Sequence, residues 1–157
     1  MPRRPLRRLG NHPTGAYTRP LPFRSREPAR LSAADWKKLY PFASHQRTTA
    51  WGAQHYVDEG SGPPLVMVHG NPTWSFYYRE LVKAFRDQHR AVAIDHLGCG
   101  LSDKPAGFDY CLDSHIRNLV DLLDELDLQK VTLLMHDWGG AIALGAPLER
   151  PERIARL

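Results

Sequence analysis

A chain of 157 residues with 42% hydrophobic content can bury a core of ordinary domain size, which excludes a wholly disordered polypeptide. Its formal charge of +4 belongs to one end: residues 1–30 hold eight arginines and one acid, whereas residues 31–157 carry thirteen bases against sixteen acids. No run of eighteen apolar residues is present to span a membrane, and two cysteines, Cys99 and Cys111, are too few for a disulfide framework or a zinc site.

Two free thiols, no metal and no cofactor are therefore expected, in a reducing, cytoplasmic setting. Residues 1–30 scatter six prolines among the arginines and lack aromatic rings arrayed for base stacking. They read as a disordered leader, and no nucleic-acid or membrane partner is expected. An organellar transit peptide or a start codon placed too early fits the same composition, and the sequence leaves these open. Residues 31–157 form the domain.

Ser32-Ala-Ala-Asp35 has the spacing of a capping box, opening a short helix on the outside of the domain that Pro41 ends. Residues 46–51 and 53–58 are strand-like runs around Gly52, expected as an antiparallel pair at a sheet edge. After the turn cluster Glu59-Gly-Ser-Gly-Pro-Pro64, the continuous apolar run Leu65-Val-Met-Val-His69 suits a central parallel strand. Tyr78, Leu81, Val82 and Phe85 then recur at helical spacing, and Arg90–Asp95 reads as the next strand.

A loop over Leu97–Pro105 leads to the best-defined helix. From Leu112 its apolar face is Ile116, Leu119, Val120, Leu123 and Leu126, its polar face Asp121, Asp124 and Glu125. His115 on this helix reads as solvated. Val131–Met135 is another strand, a helix follows from near Trp138, and Pro147 inside it predicts either a kink or a shorter helix. Pro151–Leu157 reads as a loop entering one more strand, so a chain ending there would leave the outer edge of the Val131–Met135 strand exposed. Strands alternating with helices imply an α/β fold with a mostly parallel sheet, helices on both faces and an antiparallel edge.

The informative stretch is Val131-Thr-Leu-Leu-Met-His-Asp-Trp-Gly-Gly140, a strand, a sharp turn and a helix start within ten residues. Such a turn lifts Asp137 above the carboxyl end of the strand, with Gly139 and Gly140 letting backbone pass close by. Met135 stands where elbows of this kind usually have a small residue. By these ten residues alone, Asp137 is equally readable as a nucleophile or as an N-cap of the following helix.

Three loops leave the carboxyl ends of three strands: His-Gly-Asn-Pro-Thr-Trp (69–74), Asp-His-Leu-Gly-Cys-Gly-Leu-Ser-Asp-Lys-Pro (95–105) and His-Asp-Trp-Gly-Gly (136–140). In this order and spacing they resemble the α/β-hydrolase superfamily and, within it, the haloalkane dehalogenases, from about Tyr56 to Leu157. The resemblance implies an α/β-hydrolase fold in which Asp137 displaces halide from carbon and forms an alkyl ester that water then hydrolyses. It implies halide binding by the Asn71 amide and the Trp138 indole, and an oxyanion hole from the backbone N–H groups of Asn71 and Trp138.

His69, Gly70, His136, Gly139 and Gly140 are expected to shape the loops, as are Asp95, Gly98, Gly100 and Ser102. A core role for Trp138 and plain turn formation by Asn71 are the bland alternatives. The acid and histidine that clear the ester, and the helical cap, would lie beyond Leu157, which makes this chain an expected amino-terminal portion, inactive alone. The expected partners are a small haloalkane-like electrophile and water. An epoxide hydrolase of the same fold is the enzymatic alternative, disfavoured by the second donor at Asn71, and a non-catalytic truncated remnant is the other.

Overall fold

A computed structural model describes residues 32–157; the leader expected over residues 1–30 lies outside the described residues. Ser32 opens α1 (Ala33–Leu39) with its hydroxyl accepting the Asp35 N–H at 3.2 Å, while the Asp35 carboxylate accepts the Ser32 N–H, the reciprocal capping that the spacing predicts. The chain continues through β1 (His45–Thr49), β2 (Gly52–Glu59), β3 (Pro64–Val68), a 3-10 turn at Ser75–Tyr78, α2 (Arg79–Phe85) and β4 (Arg90–Ile94). It then forms α3 (Leu112–Glu125), β5 (Val131–Met135), α4 (Trp138–Glu149) and β6 (Ile154–Arg156).

The six strands make one sheet in the order β1-β2-β4-β3-β5-β6. The pairings of β1 with β2 and of β2 with β4 are antiparallel, and the remaining three are parallel. The uninterrupted apolar character of β3 follows from burial on both sides. Val66 and Val68 face Leu119, Leu122 and Leu123 of α3 and Ile142, Ala143 and Ala146 of α4. Leu65 and Met67 face Tyr78 and Val82, a cluster against which Trp36 of α1 also packs. The strand order puts the carboxyl ends of β3, β4 and β5 side by side, with β3 in the middle, so the three loops of interest converge.

Of the two outcomes expected at Pro147, the shorter helix does not form: α4 runs on to Glu149, because Ile142, Ala143, Gly145 and Ala146 are buried and packing holds the helix through the lost amide. The outer edge of β5 is not bare along its whole length: β6 pairs with it through Val131↔Ile154 and Thr132↔Arg156. No helix among the described residues is long and apolar enough to cross a membrane.

Candidate active site

Asp137 stands between the end of β5 and the start of α4 with φ 55° and ψ −130°, a conformation that a residue with a Cβ adopts only when its surroundings force it. Although it occupies the N-cap position, its side chain makes no capping bond to α4. Instead its Oδ1 accepts the backbone N–H of Asn71 at 3.1 Å. The N–H groups of Trp138 and Asn71 together hold the carboxyl below the ordinary carboxylate range. One oxygen, Oδ1, is thus anchored to a distant loop, in a group that is ionised at neutral pH.

Two glycines make this approach possible. A Cβ at Gly70 would overlap the Asp137 side chain, and one at Gly139 would run into the carbonyl oxygens of Val68 and His69. Gly140 departs from its expected loop-shaping part: a Cβ there meets nothing within 4 Å, and no steric demand fixes glycine at that position.

Asn71 and Pro72 fill the centre of a turn closed by the Thr73 N–H bonding to the Gly70 carbonyl at 3.0 Å. Asn71 does shape a turn, then, but the same turn carries its backbone N–H to Asp137. Trp138 is 56% exposed and is no core aromatic. Asn71 and Trp138, both exposed, line a cleft of about 410 Å³ together with Leu97, Tyr110, Leu112 and Ile142; Asp137, also exposed, stands next to Trp138 but is not itself a lining residue. Neither the Asn71 amide nor the Trp138 indole N–H donates to another of the described residues, which leaves both available to an anion.

Buried polar groups fix the loops beneath this cleft. His69 is fully buried, its Nε2 accepting the His96 N–H at 3.0 Å, so that Nδ1 carries the proton and donates to the Gly70 carbonyl at 2.8 Å. Burial lowers its pKa, which fits a neutral, shape-holding ring. His96 returns a bond from Nε2 to the His69 carbonyl at 3.0 Å, and burial, followed by repulsion from His69 and His115, pushes its pKa down to about 3.

Asp95 is fully buried and accepts from Ser75 N–H at 2.7 Å, Leu101 N–H at 2.8 Å and His55 Nδ1 at 3.0 Å. Burial pushes its carboxyl up, but bonds from His55, Leu101 and Ser75 outweigh it and leave it below the ordinary value. Ser102 donates to the Asp95 carbonyl at 2.8 Å, and Gly98 and Gly100 take positive φ, so all four residues of this loop hold its shape. Outside the cleft floor, the exposed ring of His136 stacks on Tyr77 at 4.7 Å and joins the elbow to the 3-10 turn that follows the Asn71 loop.

His115 corrects its expectation. It is not solvated but half-buried on the cleft wall, its ring 5.2 Å from that of His96 and 5.3 Å from that of Phe108, and burial lowers its pKa. Its helical position gave no warning, because the face it occupies is covered by the 96–110 loop and not by the sheet. His55 lies in no motif, and His96 lies in the 95–105 stretch without a role of its own there. The available signal at 55 was a histidine sharing a strand face with Ala53 and Val57. Cys99 is half-buried and Cys111 exposed, both free.

The sequence model of the alpha/beta hydrolase fold family matches residues 63–157. The chain is 52% identical over 122 residues to the cis-3-alkyl-4-alkyloxetan-2-one decarboxylase of Shewanella oneidensis, covering 76% of this chain and 38% of that protein. It is 47% identical over 117 residues to haloalkane dehalogenase 2 of Mycobacterium tuberculosis, covering 74% and 41% respectively. The crystal structure of haloalkane dehalogenase DatA from Agrobacterium tumefaciens superposes with a TM-score of 0.67 at 34% identity, over 71% of this chain and 38% of that one. The chain thus spans about two fifths of the length of these proteins.

Proposed function

The chain belongs to the α/β-hydrolase family, and on that premise we propose that it carries the nucleophile and leaving-group site of a haloalkane dehalogenase-type enzyme. The observation that carries the reading is the anchored carboxylate: Oδ1 of Asp137 bound by the Asn71 N–H, next to Trp138, with Asn71 and Trp138 both lining the cleft. A carboxylate needs no base to activate it, so it can attack a saturated carbon directly. The new bond joins Oδ2 to carbon, and the carbon–halogen bond breaks with its electron pair leaving on halide. The Asn71 amide and Trp138 indole N–H meet that charge as it develops. Oδ1 becomes the ester carbonyl oxygen, already on the Asn71 N–H, which with the neighbouring Trp138 N–H would stabilise an oxyanion when water attacks.

Both ring nitrogens of His69 and Nε2 of His96 are committed to loop bonds, and burial keeps His96 from taking up a proton near neutral pH, so neither supplies the base for that water. This chain is accordingly expected to be alkylated once and then to stop. Intact-mass measurement after exposure to 1-bromobutane should show one butyl group on Asp137, absent in Asp137→Ala. Unmodified wild-type chain, or a butyl group elsewhere, would overturn the reading. Styrene oxide opened in preference to bromobutane would favour an epoxide hydrolase, which has no use for two halide donors. Two unpaired cysteines suit a cytoplasmic location.

A second reading is favoured by the 52% identity to an oxetanone decarboxylase. The same carboxylate attacking the ring carbon bonded to oxygen would expel a carboxylate in place of halide. Loss of CO2 from that intermediate then forms the alkene and breaks the ester's carbon–oxygen bond, restoring the carboxylate of Asp137 without water. Repeated release of CO2 from a cis-3,4-dialkyloxetan-2-one by this chain, alongside a single alkylation by bromobutane, would select the decarboxylase.

A further inference from the structure

The loop bearing Asn71 is held at both ends by two adjacent residues that follow the carboxyl end of β4. At its start, His69 and His96 exchange two bonds: the His96 N–H to His69 Nε2 and His96 Nε2 to the His69 carbonyl, both at 3.0 Å. At its end, Asp95 accepts the Ser75 N–H at 2.7 Å. All of these groups are buried, and Asp95 is braced from behind by His55 at 3.0 Å and from its own loop by the Leu101 N–H at 2.8 Å. Between the two anchors lie only Gly70 to Trp74, with the Asn71 amide at the rim. Where water competes for every exposed donor, a donor aims at a developing anion only if its backbone is fixed.

We propose that Asp95 and His96, at the carboxyl end of β4, are positioning residues that set the placement of Asn71 toward the leaving anion, beyond shaping their own loop. This rests on Asn71 being a leaving-group donor. Asp95 is fully buried and His96 only 4% exposed on the cleft floor, so their effect is through the loop, on how well the departing anion is met. A poorly stabilised leaving group such as chloride depends on that contact more than iodide does.

The test is the rate of single alkylation of the whole chain by 1-chlorobutane and by 1-iodobutane, followed by intact mass. Asn71→Ala sets the scale by raising the iodide-to-chloride rate ratio, on the order of tenfold or more. Asp95→Ala and His96→Ala should each raise the ratio in the same direction, and His96→Gln, which keeps an N–H for the His69 carbonyl, should restore it. A change in both rates by the same factor is what a merely structural role would give, and it would overturn the proposal. Should Asp95→Ala fail to fold, the His96 pair decides. A wild-type ratio in folded His96→Ala, with Asn71→Ala responsive, sinks the clamp alone. No alkylation of the wild type sinks the reading of Asp137 together with it.

Discussion

His96 should make this fold sensitive to mild acid, and His96→Gln should remove much of that sensitivity. The ring is 4% exposed, its Nε2–H is committed to the His69 carbonyl, and its Nδ1 has no partner, so a second proton would place an unpaired charge among His69 and His115. Burial holds its pKa at about 3 in the folded chain against 6.5 when solvated. The unfolded chain therefore binds the extra proton first as pH falls. Stability is fully present above about pH 6.5 and declines by about 1.4 kcal/mol per unit down to about pH 3. Between about pH 7 and pH 5, where carboxylates keep their charge, His96 alone should remove about 2 kcal/mol.

Urea unfolding at a series of pH values in this window would show it. His96→Gln should lose close to one proton's worth of pH slope, while the lowered His69 and His115 leave a residual slope in the same direction. A variant with the wild-type slope would mean that His96 takes up its proton equally in both states. The burial argument for the whole histidine row would then be wrong.

Gly70→Ala should slow alkylation of Asp137 on the order of a hundredfold by displacing its carboxylate, measured by intact mass with 1-bromobutane. The alkylation rate of the wild type should stay flat from about pH 8 to pH 5, since the Trp138 and Asn71 N–H groups keep Asp137 ionised; a rate falling with pH across this range would contradict that environment. Arg47 is buried, bonding to Gln54 at 2.8 Å, the Asn118 carbonyl at 3.1 Å and Glu125 at 3.1 Å. Arg47→Ala should destabilise the chain by about 3 kcal/mol in urea unfolding, and a change near zero would show that those partners rehydrate freely.

The order of strands and helices was legible because it depends on local patterns. Ile116, Leu119, Val120 and Leu123 repeat at the period that one buried helix face requires. Leu65–Val68 are uniformly apolar because both sides of a central strand are covered. The elbow was legible for a related reason: a strand, an Asp and a close-approach glycine must be adjacent in sequence for such a turn to form. What those ten residues left open was whether Asp137 caps or reacts, since both uses need the same residue at the same point of the chain.

Tertiary structure supplied what those ten residues could not, a backbone N–H from sixty-six residues away on Oδ1, in a side chain that makes no capping bond to α4. It also decided which glycines are obligatory, because Gly70 and Gly139 meet atoms from other segments while Gly140 meets none. His55, His96 and His115 acquire their burial and partners only when β2, β4 and α3 come together, and nothing in their local sequence distinguishes an exposed ring from one sealed against a cleft. Periodicity reports which face of an element is buried; distant contacts determine what a polar side chain meets there, and that determines its proton, its partner and its use.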